Sequence, residues 1–446
     1  MVTERRKFGW RDLKDFRVAL MLALGFSAGI PLLLVFGTLS VRLREAGIPV
    51  TTIGIFSWLG LAYSLKFLWS PLVDALDVPV LARLAGRRRA WMMTCQAVVA
   101  LGLVGVGVSD PASSIVATAV FTFVVAFGSA TQDVVVDGWR IDVAPADMQG
   151  IMAAAYQLGY RIALLCAGAG ALYIAEFAGW PIAYFAMAAL MVVGVVASLL
   201  SPVVDRAPNA GAAKRARFDF GEAVKAPLVD LYRRTGATLV VILLLVAFYR
   251  LSDFLAGVMA NPLYVDLGFS KTQIANVAKL YGFGVGIAGA FVGGWLVARI
   301  GLYRTLVIGA CLQALSHLLF SWLATQGPSV PALVVAISAD NFAQSFAGVA
   351  LIAYMSGLTG AGFSATQYAL LSSLYALPGK LVAGISGFFV AAYGYATFFA
   401  MTAAISLPVL ALIIAVARSP AGGLRPSEPS GETGTPPGSR KGSAAR

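Results

Sequence analysis

About twelve mostly apolar stretches, each long enough to cross a bilayer, follow one another from Arg17 to Arg418 with only short polar breaks. The hydrocarbon core is about 30 Å thick and a helix rises about 1.5 Å per residue, so roughly 20 apolar residues make one crossing. With 59% hydrophobic and 12% charged residues, little is left for a soluble domain. The chain is therefore expected to be an all-α integral membrane protein of twelve transmembrane helices. Hydropathy and turn residues place the crossings near 17–41, 52–76, 90–108, 114–139, 148–174, 179–201, 236–264, 271–299, 303–325, 330–358, 364–391 and 395–417.

Lys and Arg are unevenly shared among the connections, which orients the chain. Five precede the first span (Arg5, Arg6, Lys7, Arg11, Lys14), Arg83 and Arg87 to Arg89 follow the second, and seven lie between Arg206 and Arg234. The loops Ser109–Ser113, Glu176–Gly179, Thr325–Ser329 and Ala391–Tyr395 have none. Cytoplasmic loops carry the excess, so both termini are expected in the cytoplasm. Arg42 and Arg44, beside Glu45, are the exception. The net charge of +12 is thus a topology signal, and no nucleic-acid partner is expected. The basic N-terminus lacks a short apolar segment with a small-residue cleavage site, so the first span is expected to be retained. Cys95, Cys166 and Cys311 all fall inside apolar spans, which suggests neither disulfides nor a thiolate metal site.

The longest polar interruption separates six spans from six, the plan of a two-lobed transporter. The expected organisation is a six-helix lobe over 1–201, a linker over 202–235, a second six-helix lobe over 236–418 and a disordered tail over 419–446. In the linker, Phe218, Phe220, Val224, Leu228, Leu231 and Tyr232 recur at near-helical spacing beside basic residues, which predicts an amphipathic surface helix. The fifth span holds Tyr156-Gln-Leu-Gly-Tyr-Arg161 and the eleventh Tyr375-Ala-Leu-Pro-Gly-Lys380, matching tyrosine, leucine and a cation at an offset of 219. Internal repeats of this kind mark many transporter folds.

A charged side chain near mid-membrane costs roughly 2.5–3.5 kcal/mol on insertion scales, so it normally faces a cavity or a partner. Tyr63, Lys66 and Trp69 form one stripe on the second span, suited to sugar faces and carboxylates; a snorkelling or helix-pairing lysine is the alternative. Gln132 and Asp133 precede Asp137 and Arg140 on the fourth. Two carboxylates one turn apart favour protonation of one, although Asp137 and Arg140 equally fit a surface or gate ion pair. Arg250 and Asp253 sit three apart in the seventh span, as an internal pair or as a carboxylate that exchanges its cation for a proton. Asp340, Asn341 and Gln344 make a polar stripe in the tenth, and Gln367 opens the eleventh. His317 is the only histidine. It is expected to pack between helices with one hydrogen bond, leaving carboxylates to carry any proton. No nucleotide-binding loop, zinc motif or nucleophile elbow is visible, so no enzyme activity, cofactor or metal is expected.

After the eighth span, Gly294-Trp-Leu-Val-Ala-Arg299-Ile-Gly301-Leu-Tyr-Arg304 resembles the loop signature of the major facilitator superfamily, with Ala298 replacing the usual aspartate. The first-half equivalent keeps Asp74 but carries an insertion before Arg87. More specifically, Gly25-Phe-Ser-Ala-Gly-Ile-Pro31, Lys66-Phe-Leu-Trp-Ser-Pro-Leu-Val-Asp74, Ser129-Ala-Thr-Gln-Asp133-Val-Val-Val-Asp137 and Phe363-Ser-Ala-Thr-Gln-Tyr-Ala-Leu-Leu371 resemble bacterial muropeptide permeases of the AmpG type. Gly86-Arg-Arg-Arg89, Leu158-Gly-Tyr-Arg161 and Glu222-Ala-Val-Lys-Ala-Pro-Leu228 extend the match through both halves. The resemblance implies the major facilitator fold, the bacterial inner membrane, and proton-driven import of N-acetylglucosaminyl-anhydro-N-acetylmuramyl peptides.

On that reading Lys66, Arg161, Lys279 and Lys380 are expected to bind carboxylates, and Tyr63, Trp69 and Tyr160 to stack on sugars. Gln132, Gln157, Asn341, Gln344 and Gln367 are expected to meet amides and hydroxyls. Asp133, Asp137, Arg250, Asp253 and Asp340 are expected in proton coupling, and Asp74, Arg87, Arg140 and Arg299 in gating. The partners would be a glycopeptide, protons and the bilayer, with the chain acting as a monomer. A CoA ester or another anionic amphiphile remains an alternative cargo, and a non-transporting sensor or scaffold an alternative class.

Overall fold

The computed structural model describes residues 15–144, 148–203, 229–359 and 364–419. The expected linker amphipathic helix, the Glu222–Leu228 segment and almost all of the tail lie outside the described residues. Twelve apolar helices run in the expected order. They are α1 (Phe16–Glu45), α2 (Val50–Leu65), α3 (Arg87–Val108), α4 (Ile115–Val143), α5 (Gln149–Ala178) and α6 (Trp180–Leu200), then α7 (Thr238–Asp266), α8 (Lys271–Ile300), α9 (Leu302–Leu323), α10 (Val330–Leu358), α11 (Ser364–Ala383) and α12 (Ser386–Arg418). Ten are long and apolar enough to cross a membrane, whereas α2 and the apolar part of α11 are shorter.

The second crossing, expected as one helix over 52–76, is instead interrupted. After α2 come a tight 3₁₀ turn at Lys66–Leu68 and a short helix at Ser70–Ala75. Pro71 has no N–H to continue the ladder, and a 3₁₀ turn is the local solution. Other helices break too, one of them at a proline. In α1, Pro31 removes a donor and Phe36 leaves helical geometry (φ −114°, ψ −98°). In α7 the chain steps at Arg250 (φ −116°, ψ 15°). Single π-helical turns interrupt α5 at Cys166–Gly170 and α8 at Ala275–Tyr281, and the two meet across the lobe interface.

Packing within each lobe relies on missing side chains. A Cβ on Gly159 of α5 would strike the Leu22 carbonyl of α1, and one on Gly25 of α1 would strike that of Tyr156. Gly289 and Gly293 let α8 lie against the backbone of α10 at Phe342 and Phe346 in the same way. Four glycines make the joints between crossings. Gly86, Gly179 and Gly301, with φ of 81°, 85° and 83°, precede α3, α6 and α9. Gly394 (φ 77°) breaks α12 into the end of the eleventh crossing and the whole of the twelfth. Each joint therefore introduces the third crossing of a three-helix unit, in a conformation that a side chain disfavours.

The lobes touch through α1 against α7, α5 against α8, and α2 against α11 and the start of α12. These contacts gather at the end of the bundle opposite the N-terminus. There Arg44 pairs with Asp266, which also accepts from Tyr395 Oη at 2.7 Å. Lys271 bridges Glu45 and Glu176, the latter at 3.5 Å, and Trp180 Nε1 donates to Glu45. Gly387 sits on the Val50 carbonyl and Gly54 on that of Gly384, so no side chain fits between the lobes there.

Candidate functional site

Between the lobes, behind that closed end, lies a cavity of about 520 Å³. Most of its wall is aliphatic or aromatic, including Phe36, which the break in α1 turns inward. Polar groups come from both lobes: Ser57 and Tyr63 of α2, Asp133 of α4, Tyr160 of α5, Asp253 of α7 and Lys380 of α11. Gly60 creates the space for the Phe36 ring, whose centroid is 6.2 Å from that of Tyr63.

Each lobe presents one carboxylate to the cavity, and each carboxylate is held. Asp133 accepts a hydrogen bond from Tyr156 Oη at 3.0 Å and pairs with Lys66 Nζ at 3.4 Å. The tight turn after α2 directs Lys66 toward α4. Across the cavity, Asp253 accepts from Arg250 Nε at 2.7 Å and Gln313 Nε2 at 2.9 Å. Lys380 reaches between the lobes and donates to Ser64 Oγ at 2.8 Å. Lys279, on the π turn of α8, donates to Asn261 Oδ1 at 2.9 Å and rests its stem on Gly168 of the facing π turn. Ser57 Oγ and Tyr63 Oη on the wall, with Gln132 Oε1 behind it, are buried without a protein hydrogen-bond partner. Such atoms are ready to bond a polar guest.

Other expected site residues stand elsewhere. Trp69 lies past the break in its crossing; its Nε1 donates to Thr131 Oγ1 at 3.1 Å and its ring packs on Phe127 at 4.8 Å, away from the cavity wall. Gln157 and Arg161 are exposed on α5 and do not line the cavity. Asn341 turns back to the Ile337 carbonyl at 3.2 Å and packs on Gly282, while Gln344 is half-buried one turn further along α10. Gln367 is held at the basic end, between Arg234 at 3.0 Å and Asp230 at 2.8 Å. Its hydrogen bond, with help from Arg234, holds the Asp230 carboxyl below the usual carboxylate range.

The expected gate residues are also at the basic end. Arg140 pairs with exposed Asp137 at 3.3 Å and approaches Gln149 Oε1 at 3.4 Å. Arg87 heads α3, next to an Arg88–Asp142 pair at 3.3 Å. Arg299 is exposed over Trp295, 6.0 Å from its ring. The side chain of Asp74 lies outside the described residues.

The sequence reading did not single out Tyr156, Ser57 or Gln313, nor the Arg44–Asp266 and Glu45–Lys271–Glu176 clusters. Two signals were available. Tyr156 opens the repeated motif of the fifth span, and Arg44 breaks the rule that basic residues avoid that face. His317 is fully buried between helices, as expected, but instead of the one expected hydrogen bond its ring nitrogens have none, Nε2 standing 3.6 Å from Asp253 Oδ1.

Two lobes of six helices around a central cavity with held buried charges define a secondary carrier of the major facilitator type. Residues 242–443 match the family model described as Major Facilitator Superfamily, and residues 17–116 match that described as Acetyl-coenzyme A transporter 1. The fold resembles a bacterial homolog of the human lysosomal transporter Spinster in an inward-facing and occupied conformation, with TM-score 0.65 and 14% identity over 95% of this chain and 100% of that one. It also resembles a D-xylose-proton symporter, with TM-score 0.63 and 13% identity over 87% and 96% of the two chains. Among curated proteins, the chain is 37% identical over 409 residues to Putative transporter AmpG 4 of Rickettsia conorii, covering 90% of this chain and 96% of the relative. It is 36% identical over 407 residues to the Anhydromuropeptide permease of Escherichia coli K12, covering 91% and 80%. The chain belongs to the AmpG family of transporters.

Proposed function

We propose that the protein imports N-acetylglucosaminyl-anhydro-N-acetylmuramyl peptides across the bacterial inner membrane, together with protons, for cell-wall recycling. One geometric observation carries the reading: a cavity between the lobes has a held carboxylate on each side, Asp133 and Asp253. The name of the Escherichia coli relative supplies the cargo class. Sugar faces would lie against Tyr63, Tyr160 and Phe36, hydroxyls and amides would meet Ser57 and Tyr63 Oη, and Lys380 would take a carboxylate. A proton arriving at Asp133 would release Lys66 to the cargo, which couples the two.

Transport would proceed by alternating access. With both termini and the linker in the cytoplasm, the latched end around Asp266 and Lys271 faces the periplasm, and the cavity is reached from the cytoplasm. A CoA ester is the second reading, favoured by the match of residues 17–116 to an acetyl-coenzyme A transporter model. Against it, the described cavity wall carries one cation, Lys380, whereas several phosphates call for more.

The test is uptake of labelled N-acetylglucosaminyl-anhydro-muramyl peptide into proteoliposomes under an inward proton gradient. The wild type is expected to accumulate it, and Asp133→Asn or an uncoupler to abolish accumulation. No uptake by correctly inserted protein would remove this cargo, and uptake indifferent to the uncoupler would remove proton coupling.

A further inference from the structure

We propose that His317 is a proton-binding site of the second lobe, reached from the cavity through Asp253. The proposal deepens the proton-coupled reading above and rests on it for its role in transport. His317 lies in the C-terminal half of α9, is 0% exposed, and places Nε2 3.6 Å from Asp253 Oδ1. That distance is too long for a hydrogen bond and short enough to become one with a small side-chain movement. A neutral imidazole always carries one N–H donor and one acceptor, and here both nitrogens are buried without a partner. A purely packing position is better filled by an apolar side chain, so an unsatisfied imidazole calls for another explanation.

The neighbours supply it. Arg250 and Gln313 both occupy Asp253 Oδ2, leaving Oδ1 toward His317. Asp253 also lines the cavity, and so stands between the aqueous path and the imidazole. The other titratable neighbours of the cluster are Tyr249 and Tyr264 of the seventh crossing, Asp340 of α10, Tyr375 of α11 and Cys311 of α9 itself. Of the remaining helices packed on α9, the first part of α12 over 386–404 has no acidic or basic residue, and Arg299 and Arg418 occur only at the ends of α8 and α12.

In the step inferred, Asp253 Oδ1 takes a proton from water in the cavity and passes it to His317 Nε2. The imidazolium then shares Asp253 with Arg250. The proton returns by the same atoms once the cavity opens to the other side, and only O–H and N–H bonds are made and broken.

Because the chain has a single histidine, the site can be observed directly. Protein prepared without a histidine tag, labelled with ¹⁵N-histidine and placed in nanodiscs gives one imidazole to follow by NMR. The proposal requires this ring to pass from imidazole to imidazolium when the nanodiscs are acidified. In Asp253→Asn the transition is expected to be displaced. An imidazole that stays neutral throughout, with the proton held on Asp340 instead, would overturn the proposal. In transport, His317→Gln is expected to lower proton-driven accumulation about tenfold, within the usual range of coupling between sites. Undiminished accumulation would also overturn it. The imidazole measurement needs no cargo, so a wild type that titrates but does not take up the muropeptide would strike the cargo assignment and leave this site standing.

Discussion

At the scale of single residues, the energetics centre on Asp133. Its depth marked it in the sequence, since a lone mid-membrane charge is costly, but its partners lie on other helices and periodicity cannot pair them. Tyr156 is the clearest case: it was visible as half of a repeat, while its hydroxyl turned out to hold the carboxylate. A hydrogen bond to a charged group contributes about 1.5–3 kcal/mol, so Tyr156→Phe is expected to reduce muropeptide uptake by roughly ten- to a hundredfold. Initial rates in proteoliposomes at matched protein content would check this, and an unchanged rate would show the tyrosine to be dispensable. Trp69 teaches the converse. Its spacing from Lys66 made an aromatic stripe only if the crossing were one regular helix, and the turn at Lys66–Leu68 ends that regularity.

At the scale of elements, the number and order of the apolar helices were legible because lipid imposes a minimum length. Their interruptions were not, except where a proline announces one. Pro31 and Pro71 are of that kind, whereas the π turns of α5 and α8 carry no comparable signal. Lys66, Arg250 and Lys279 all sit on interruptions, so these candidate cations, unlike Lys380, are at places where the helix is already irregular. The contact of α2 with the start of α12 yields a prediction. Gly387→Val places a side chain against the Val50 carbonyl, and such overpacking costs typically about 1–3 kcal/mol. The variant is expected to disfavour the latched state and raise labelling, from the periplasmic side, of a cysteine placed at Ser57 in a background lacking the native cysteines. Labelling at the parent level would show that the close approach does not decide which state is populated.

For the whole molecule, charge placement predicts an orientation, and the anomaly in that placement has a physical cause. Arg42 is buried and donates to the carbonyls of Val106 and Ser109, and Arg44 pairs with Asp266, so neither is a free loop charge. Linking Arg44 to the opposite lobe required knowing how the lobes face each other, which no local pattern contains. Surface ion pairs contribute about 0.2–1 kcal/mol apiece, so Lys271→Ala alone is expected to shift the conformational balance only slightly. Joining it with Asp266→Ala removes both clusters and is expected to move the population visibly toward opening. A spin-label or fluorophore pair spanning α1 and α7 at that end would read the change, and an unaltered distance distribution in the double variant would rule out the latch.

The left-handed glycine joints also serve as a ruler. From Gly86 to Gly179 is 93 residues, and from Gly301 to Gly394 is again 93. Between the inner pair, Gly179 to Gly301, the interval is 122, longer by 29. The two lobes thus keep the same joint-to-joint length, although the motifs at Tyr156 and Tyr375 stand 219 residues apart and the joints 215, and the surplus falls in the stretch that contains the linker. An insertion or deletion between the joints of one lobe therefore disturbs a length that the other lobe still holds.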